Sequence, residues 1–197
     1  MTFYELDIFT QPKIKFACAT TGTFNEDSLN IIDHRRNLIE LSISEGVDMN
    51  IETEFESYVK PMNTVGILMP DCKYILKPCH TDVNVTSSSV AVEINEMRFM
   101  RHCETDFNRI LDIINNINDN TILLPQVYEP ENDEVPLIIS LFKSLINCYL
   151  NKTKASYLRC ISKWYEICAM IDSGFREKIY ANIPEYSKNQ VSSSYYY

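Results

Sequence analysis

The side chains best able to do chemistry in this chain are three histidines, seven cysteines and its tyrosines, and their spacing argues against catalysis. The histidines stand at 34, 80 and 102, with no His-x-His pair. An open metal centre of the kind that works on substrates needs several histidines and a carboxylate brought to one point, and three histidines so placed make that improbable. His80 stands near Cys72 and Cys79, soft ligands suited to zinc or copper. A proline-turn histidine beside two packing cysteines is the plainer reading. A cysteine nucleophile would need a partner base and an electropositive site, and no motif supplies one. There is no Gly-x-Ser-x-Gly elbow, and four glycines (22, 46, 66 and 174) leave no phosphate-cradling loop. The chain is therefore expected not to be an enzyme and to carry no cofactor or metal.

The bulk numbers narrow the partners. At 197 residues, 45% of them apolar, the chain can bury a real core. Its 18 basic residues face 27 acidic ones, a formal charge of −9, and form no block. A surface that grips DNA needs clustered Lys and Arg to displace counterions, so this piece is expected to hold no nucleic acid by itself. The sequence contains no run of about 18 apolar residues of the kind that spans a membrane. The start Met1-Thr2-Phe3-Tyr4-Glu5 lacks the basic region and apolar core of a signal peptide. The cysteines (18, 72, 79, 103, 148, 160 and 168) are odd in number, form no Cys-x-x-Cys and several sit among apolar neighbours. Reduced thiols in a cytoplasmic protein are the natural expectation.

Two kinds of element must position whatever site exists. From about Lys13 to Ile94 the pattern has period two: Ile39, Leu41 and Ile43 alternate with Glu40, Ser42 and Ser44, and Met49, Ile51, Thr53 and Phe55 with polar neighbours. Val65, Ile67 and Met69, then Val83 and Val85, then Val90, Val92 and Ile94 continue it. Each predicts a half-buried strand. Gly46, Pro61-Met62-Asn63, Pro70-Asp71, Pro78 and Ser87-Ser88-Ser89 separate them as breakers. Short strands without intervening helices predict a sandwich or barrel.

Beyond about Glu104 the period becomes 3.6. Phe107, Ile110, Leu111, Ile114 and Ile117 line one predicted helix, the stretch 121–128 (TILLPQVY) is extended, and a second helix starts near Asn132-Asp133 with Pro136 in its first turn. A third runs from about Lys154 to Asp172 with two apolar stripes: Leu158, Ile161, Tyr165 and Cys168, and beside them Tyr157, Cys160, Trp164, Ile167 and Ile171. A surface helix needs one stripe. Two predict a second buried contact, read here as a homodimer interface carrying Leu158, Ile161, Trp164, Tyr165 and Cys168; a helix sunk in its own monomer is the alternative.

The order of parts resembles the sensor domain of AraC-type transcription regulators. The segment Ile32-Asp33-His34-Arg35-Arg36 leads into Leu38–Gly46 (LIELSISEG), and Tyr58-Val59-Lys60-Pro61-Met62-Asn63-Thr64-Val65-Gly66-Ile67-Leu68-Met69-Pro70 is similar to that family's Tyr-x-Val-x-x-Gly-Asp-x-x-Leu-x-Pro segment. Asn63 stands where the turn glycine is usual, and the acidic residue after it is missing. Tyr74 through Pro78-Cys79-His80, Ser88–Val92, Leu123–Val127 and the helices ending Ser162-Lys163-Trp164-Tyr165-Glu166 match the sequel.

The resemblance implies an α+β chain: a cupin-like β-barrel (jelly-roll) with an N-terminal arm over 1–103, and a C-terminal helical dimerisation segment over 104–191. It makes 192–197 (SSSYYY) the start of the linker or of a truncated helix-turn-helix domain. It also implies a small-molecule effector in the barrel, bound by Arg36, Tyr58, Tyr74 and His80, and DNA contact only through a domain absent from this chain. The apolar arm Met1–Pro12 would close over the pocket. A stand-alone cupin-like enzyme and a purely structural dimerisation module without ligand are the competing readings.

Overall fold

The computed structural model describes residues 1–7, 12–24, 30–33, 38–68, 70, 72–80, 83–93, 100–117 and 120–182. The chain opens with β1 (Thr2–Asp7), β2 (Lys13–Phe24), β3 (Asn30–Asp33), β4 (Leu38–Glu45) and β5 (Met49–Glu52). It continues through β6 (Ser57–Lys60), β7 (Val65–Leu68), β8 (Lys73–Pro78), β9 (Val83–Glu93) and β10 (Met100–Cys103). Then come α1 (Phe107–Asn116), β11 (Thr121–Pro125), β12 (Val127–Tyr128), α2 (Val135–Leu150) and α3 (Lys154–Ala181). The architecture is α+β, with antiparallel sheets ordered β10-β1-β11, β12-β7-β4-β9-β2 and β3-β8-β5-β6.

The five-stranded sheet is covered on both sides, and that decides where a site can be. Ile39, Leu41 and Ile43 of β4, Val65 and Ile67 of β7, and Val90 and Val92 of β9 form one core with Ile138, Leu141 and Phe142 of α2 and Trp164, Ile167 and Ile171 of α3. On the opposite face Leu68 packs with Ile51, Cys72 and Tyr74 of the four-stranded sheet side. The predicted breaker Ser87-Ser88-Ser89 lies inside β9, which pairs with β2 on one side and β4 on the other. Two ladders hold those serines extended, and the helices and second sheet cover them.

The boundary expected at 103 does not part the structure: β11 pairs with β1, and β12 pairs with β7. The N-terminal arm is not a lid over its described length. It forms the central strand of its own sheet, with Phe3, Tyr4 and Leu6 buried. Burying three such side chains stabilises by several kcal/mol, at about 1.5–3 each. Residues 8–11 lie outside the described residues.

The helices follow their signals. Asp106 caps α1 by accepting from the Asn108 N–H, Pro136 occupies the first turn of α2, and Thr153 caps α3 through the Ser156 N–H. α3 runs nine residues past its expected end at Asp172, because Phe175 and Ile179 continue its buried face into a cluster with Phe3, Ile110 and Leu123. Asp172 fixes α3 to the sheet: its Oδ1 accepts from the Leu123 N–H at 2.7 Å and its carboxylate holds Arg176, which donates to the Thr121 carbonyl. No helix among the described residues is long and apolar enough to cross a membrane.

Candidate functional site

The residues most able to hold a ligand lie where the two larger sheets face each other. Along β4, Glu40 and Ser44 point away from the helices yet are buried. The register sets Ser42 opposite Gly66 and Ser89, so this face of the sheet is polar and small. Across the gap, Tyr58 pairs with Ile51 and Lys60 with Met49, while Leu76, two residues on from Tyr74, pairs with Ile51. Alternation therefore brings Tyr58, Lys60 and Tyr74 to one inner face.

Lys60 is the unusual member. It is 2% exposed, and its Nζ donates to Ser44 Oγ at 2.6 Å, the one hydrogen bond it makes among the described residues. An ammonium carries three donors. Burial pulls its pKa down to about 8, with Asp48 partly restoring it. Its stem crosses Gly66 so closely that a Cβ there would sit 2.7 Å from Lys60 Cδ. Gly66 is thus what lets a lysine from one sheet lie flat on the other.

Tyr58 stands two residues before Lys60 on the same inner face. Burial pushes its hydroxyl up to about 12, an effect Gln126 eases. Its Oη is shielded from solvent without a well-aligned partner among the described residues, because Gln126 donates to Glu56, which also takes Arg101 at 2.7 Å. Beside it opens a cavity of about 370 Å³ lined by Tyr58, Gln126 and Tyr128 and by Phe175, Lys178 and Ile179 of α3. Burial also raises the Tyr4 hydroxyl, which feels both Arg101 and Tyr58.

The expected site residues thus part company. Tyr58 and Tyr74 share one face and one apolar cluster. His80 is exposed in the bend beyond β8, outside that cluster. Arg36 lies outside the described residues. Sequence reasoning missed Lys60, Glu40 and Ser44; the usable signal for Lys60 was its place two residues after Tyr58 in one short strand. Cys72 is buried while Cys79 and His80 are exposed, and no group of three or more His, Cys, Asp or Glu suited to a metal occurs among the described residues.

The interface expectation needs correction. Trp164 and Cys168 are 1% and 0% exposed and belong to the chain's own core, so neither side chain is offered to a partner. Ile161 and Tyr165 are half-buried against that core, and Leu158 is 67% exposed.

No protein-family profile and no curated protein matches the sequence. Among solved structures it is similar to ToxT from Vibrio cholerae, an AraC-family regulator. One ToxT structure is 11% identical, covering 85% of this chain and 55% of that one with a TM-score of 0.38. A second, bound to (E)-4-(8-methylnaphthalen-1-yl)but-3-enoic acid, is 12% identical, covering 77% and 55% with a TM-score of 0.39. A third is 12% identical, covering 65% and 48% at 0.38. The chain spans about half the length of these structures.

Proposed function

We propose that this chain is the effector-binding and dimerising module of an AraC-type transcription regulator, not an enzyme, with DNA contact left to helix-turn-helix units outside it. The reading is supported by the motif order from Ile32 to Pro70 and by one structural observation above all. Lys60 is a buried ammonium with spare donors, set between two sheets on the inner face that also carries Tyr58, two residues before it. A structural module has no use for so costly a charge, whereas a pocket uses a few polar groups to orient an otherwise apolar ligand. The effector in this reading is a small organic acid, its carboxylate taken by Lys60. Tyr58 touches both the inner cluster and the cavity that α3 lines, a route by which occupancy would bias the helices. Effector control needs such differential contact with two states.

The test is a panel of aliphatic and aromatic monocarboxylic acids, with the matching amides as neutral controls, read by thermal shift and calorimetry. At about a hundredfold excess over Kd, binding adds roughly 2.7 kcal/mol, several degrees for a chain of this size. At least one acid should do so and its amide should not. A panel without effect favours the structural module.

Dimerisation belongs to the same reading, through the exposed face of α3 around Leu158 with Ile161 and Tyr165 at its edge. The chain should sediment as a dimer at tens of micromolar, a concentration set by ordinary dimer affinities, and Leu158→Glu as a folded monomer. An unmodified chain that is monomeric there would remove the interface.

A further inference from the structure

Between Glu134 and Glu166 the chain holds Lys143, Lys152, Lys154, Arg159 and Lys163 and no acidic residue, although its net charge is −9. This stretch is the α2–α3 hairpin, and it contains two of the seven cysteines. The Cys160 thiol is fully buried and donates to the Leu145 carbonyl at 3.5 Å, one turn before Cys148 on α2; Cys148 packs against the same core cluster, near enough for its charge to act on Cys160. Cys148 is only half-buried. It lines a cavity of about 650 Å³ at the turn end of the hairpin, with Lys152, Lys154, Tyr157 and Leu158. Among the described residues neither lysine has a carboxylate partner.

We infer that Cys148 and Cys160 form a redox-active dithiol whose oxidant is an acidic low-molecular-weight disulfide of the glutathione type, admitted through this cavity. Reactive cysteines occupy partly exposed, electropositive surroundings, and Cys148 alone among the seven joins that setting to a neighbouring thiol. The cavity has room for a peptide-sized disulfide, and Lys152 and Lys154 complement its carboxylates.

The exchange balances in two steps. The Cys148 thiolate attacks one sulfur of the incoming disulfide; the S–S bond breaks, one glutathione thiolate leaves, and Cys148 carries the mixed disulfide. Cys160 then loses its proton, its sulfur attacks Cys148 Sγ, and the second glutathione thiolate departs. Two protein thiols are oxidised to one disulfide, one glutathione disulfide is reduced to two thiols, and the two cysteine protons end on them. The order follows from burial: desolvation, and next the charge of Cys148 itself, hold the Cys160 thiol up to about 11. Capping Cys148 neutralises that second cause, so Cys160 becomes the resolving thiol only once it is needed. The new bond would tie the end of α2 to α3 beside exposed Leu158, which couples redox state to this face.

The experiment uses the full chain at low micromolar concentration, titrated through glutathione buffers, alkylated and mapped by mass spectrometry. A Cys148–Cys160 linkage should form before adducts build up on exposed Cys18, Cys79 or Cys103. Cys160→Ser should trap glutathione on Cys148, and Cys148→Ser should leave Cys160 unmodified. Replacing Lys152 and Lys154 by Gln should slow reaction with glutathione disulfide roughly three- to tenfold, the scale of losing one or two near charges, while leaving the rate with neutral hydroxyethyl disulfide unchanged. The inference is overturned if the unmodified chain yields no Cys148–Cys160 linkage, a result that needs no variant to fold, or if the lysine changes slow both disulfides alike.

Discussion

Replacing Lys60 with methionine should make the empty protein more stable at neutral pH and, in the proposed pocket, weaken acid binding roughly 10- to 150-fold. The first effect follows from the buried ammonium, whose pKa falls from 10.5 to about 8 on folding. Between those values the folded chain binds fewer protons at this site than the unfolded one, so stability rises with pH across that window. It is at its lowest below about 8. The shift corresponds to roughly 3 kcal/mol, reduced in the variant by the cost of leaving Ser44 Oγ without its donor, about 1 kcal/mol. Methionine has similar length and no charge, and replacing a buried ion by an apolar group of like volume is often stabilising. Several tyrosines titrate nearby in pH, so the quantity to measure is the difference between wild type and Lys60→Met in urea melts from pH 7 to 10.5. That difference should shrink steadily with pH. A constant difference would mean that Lys60 reaches water, and unchanged affinity for an acid that binds would place the carboxylate elsewhere. The second effect is the loss of a charge-assisted hydrogen bond in a buried setting, worth about 1.5–3 kcal/mol.

Gly174→Ala should cost about 2 kcal/mol even though it places a better helix former in the middle of α3. Alanine gains roughly 1 kcal/mol over glycine in a helix interior. Here its Cβ would stand 2.1 Å from Tyr128 Oη and 2.9 Å from Cζ. Tyr128 is buried, its backbone is paired in β12, and its hydroxyl donates to Glu134 Oε2 at 3.0 Å. A ring held at both ends has little freedom to retreat, and overpacking of this kind costs about 1–3 kcal/mol beyond any propensity gain. Tyr128→Phe removes the atom in closest conflict, so the double variant should recover much of the loss, a coupling that additive effects would not give. Equilibrium denaturation of the four chains decides it. If Gly174→Ala alone is more stable than wild type, Tyr128 moves freely and the contact does not constrain α3.

Much of the local structure was legible because it is local. Alternation of Ile39, Leu41 and Ile43 with polar neighbours specifies a strand, and Ile110, Leu111 and Ile114 a helix face. Pro136 marks where α2 begins, and Tyr58 and Tyr74 could be placed on strands and, by resemblance, near a pocket. What a period of two cannot say is whether its polar side meets water. The side of β4 that carries Glu40 and Ser44 reads as a solvated face in sequence. It is interior because a second sheet covers it, and that covering turns Lys60 from a surface charge into a candidate ligand anchor. Ser87-Ser88-Ser89 likewise looks like a turn until ladders on both sides supply its backbone partners, and nothing local in the sequence tells that Tyr128 fills the place of a side chain at Gly174. The two stripes of α3 were visible, but which one the monomer consumes depends on how α2 and the sheet pack against it. They take Trp164 and Cys168 and leave Leu158 outside. Each of these outcomes turns on residues far apart in sequence competing to exclude water from one surface, and only the tertiary structure settles that competition.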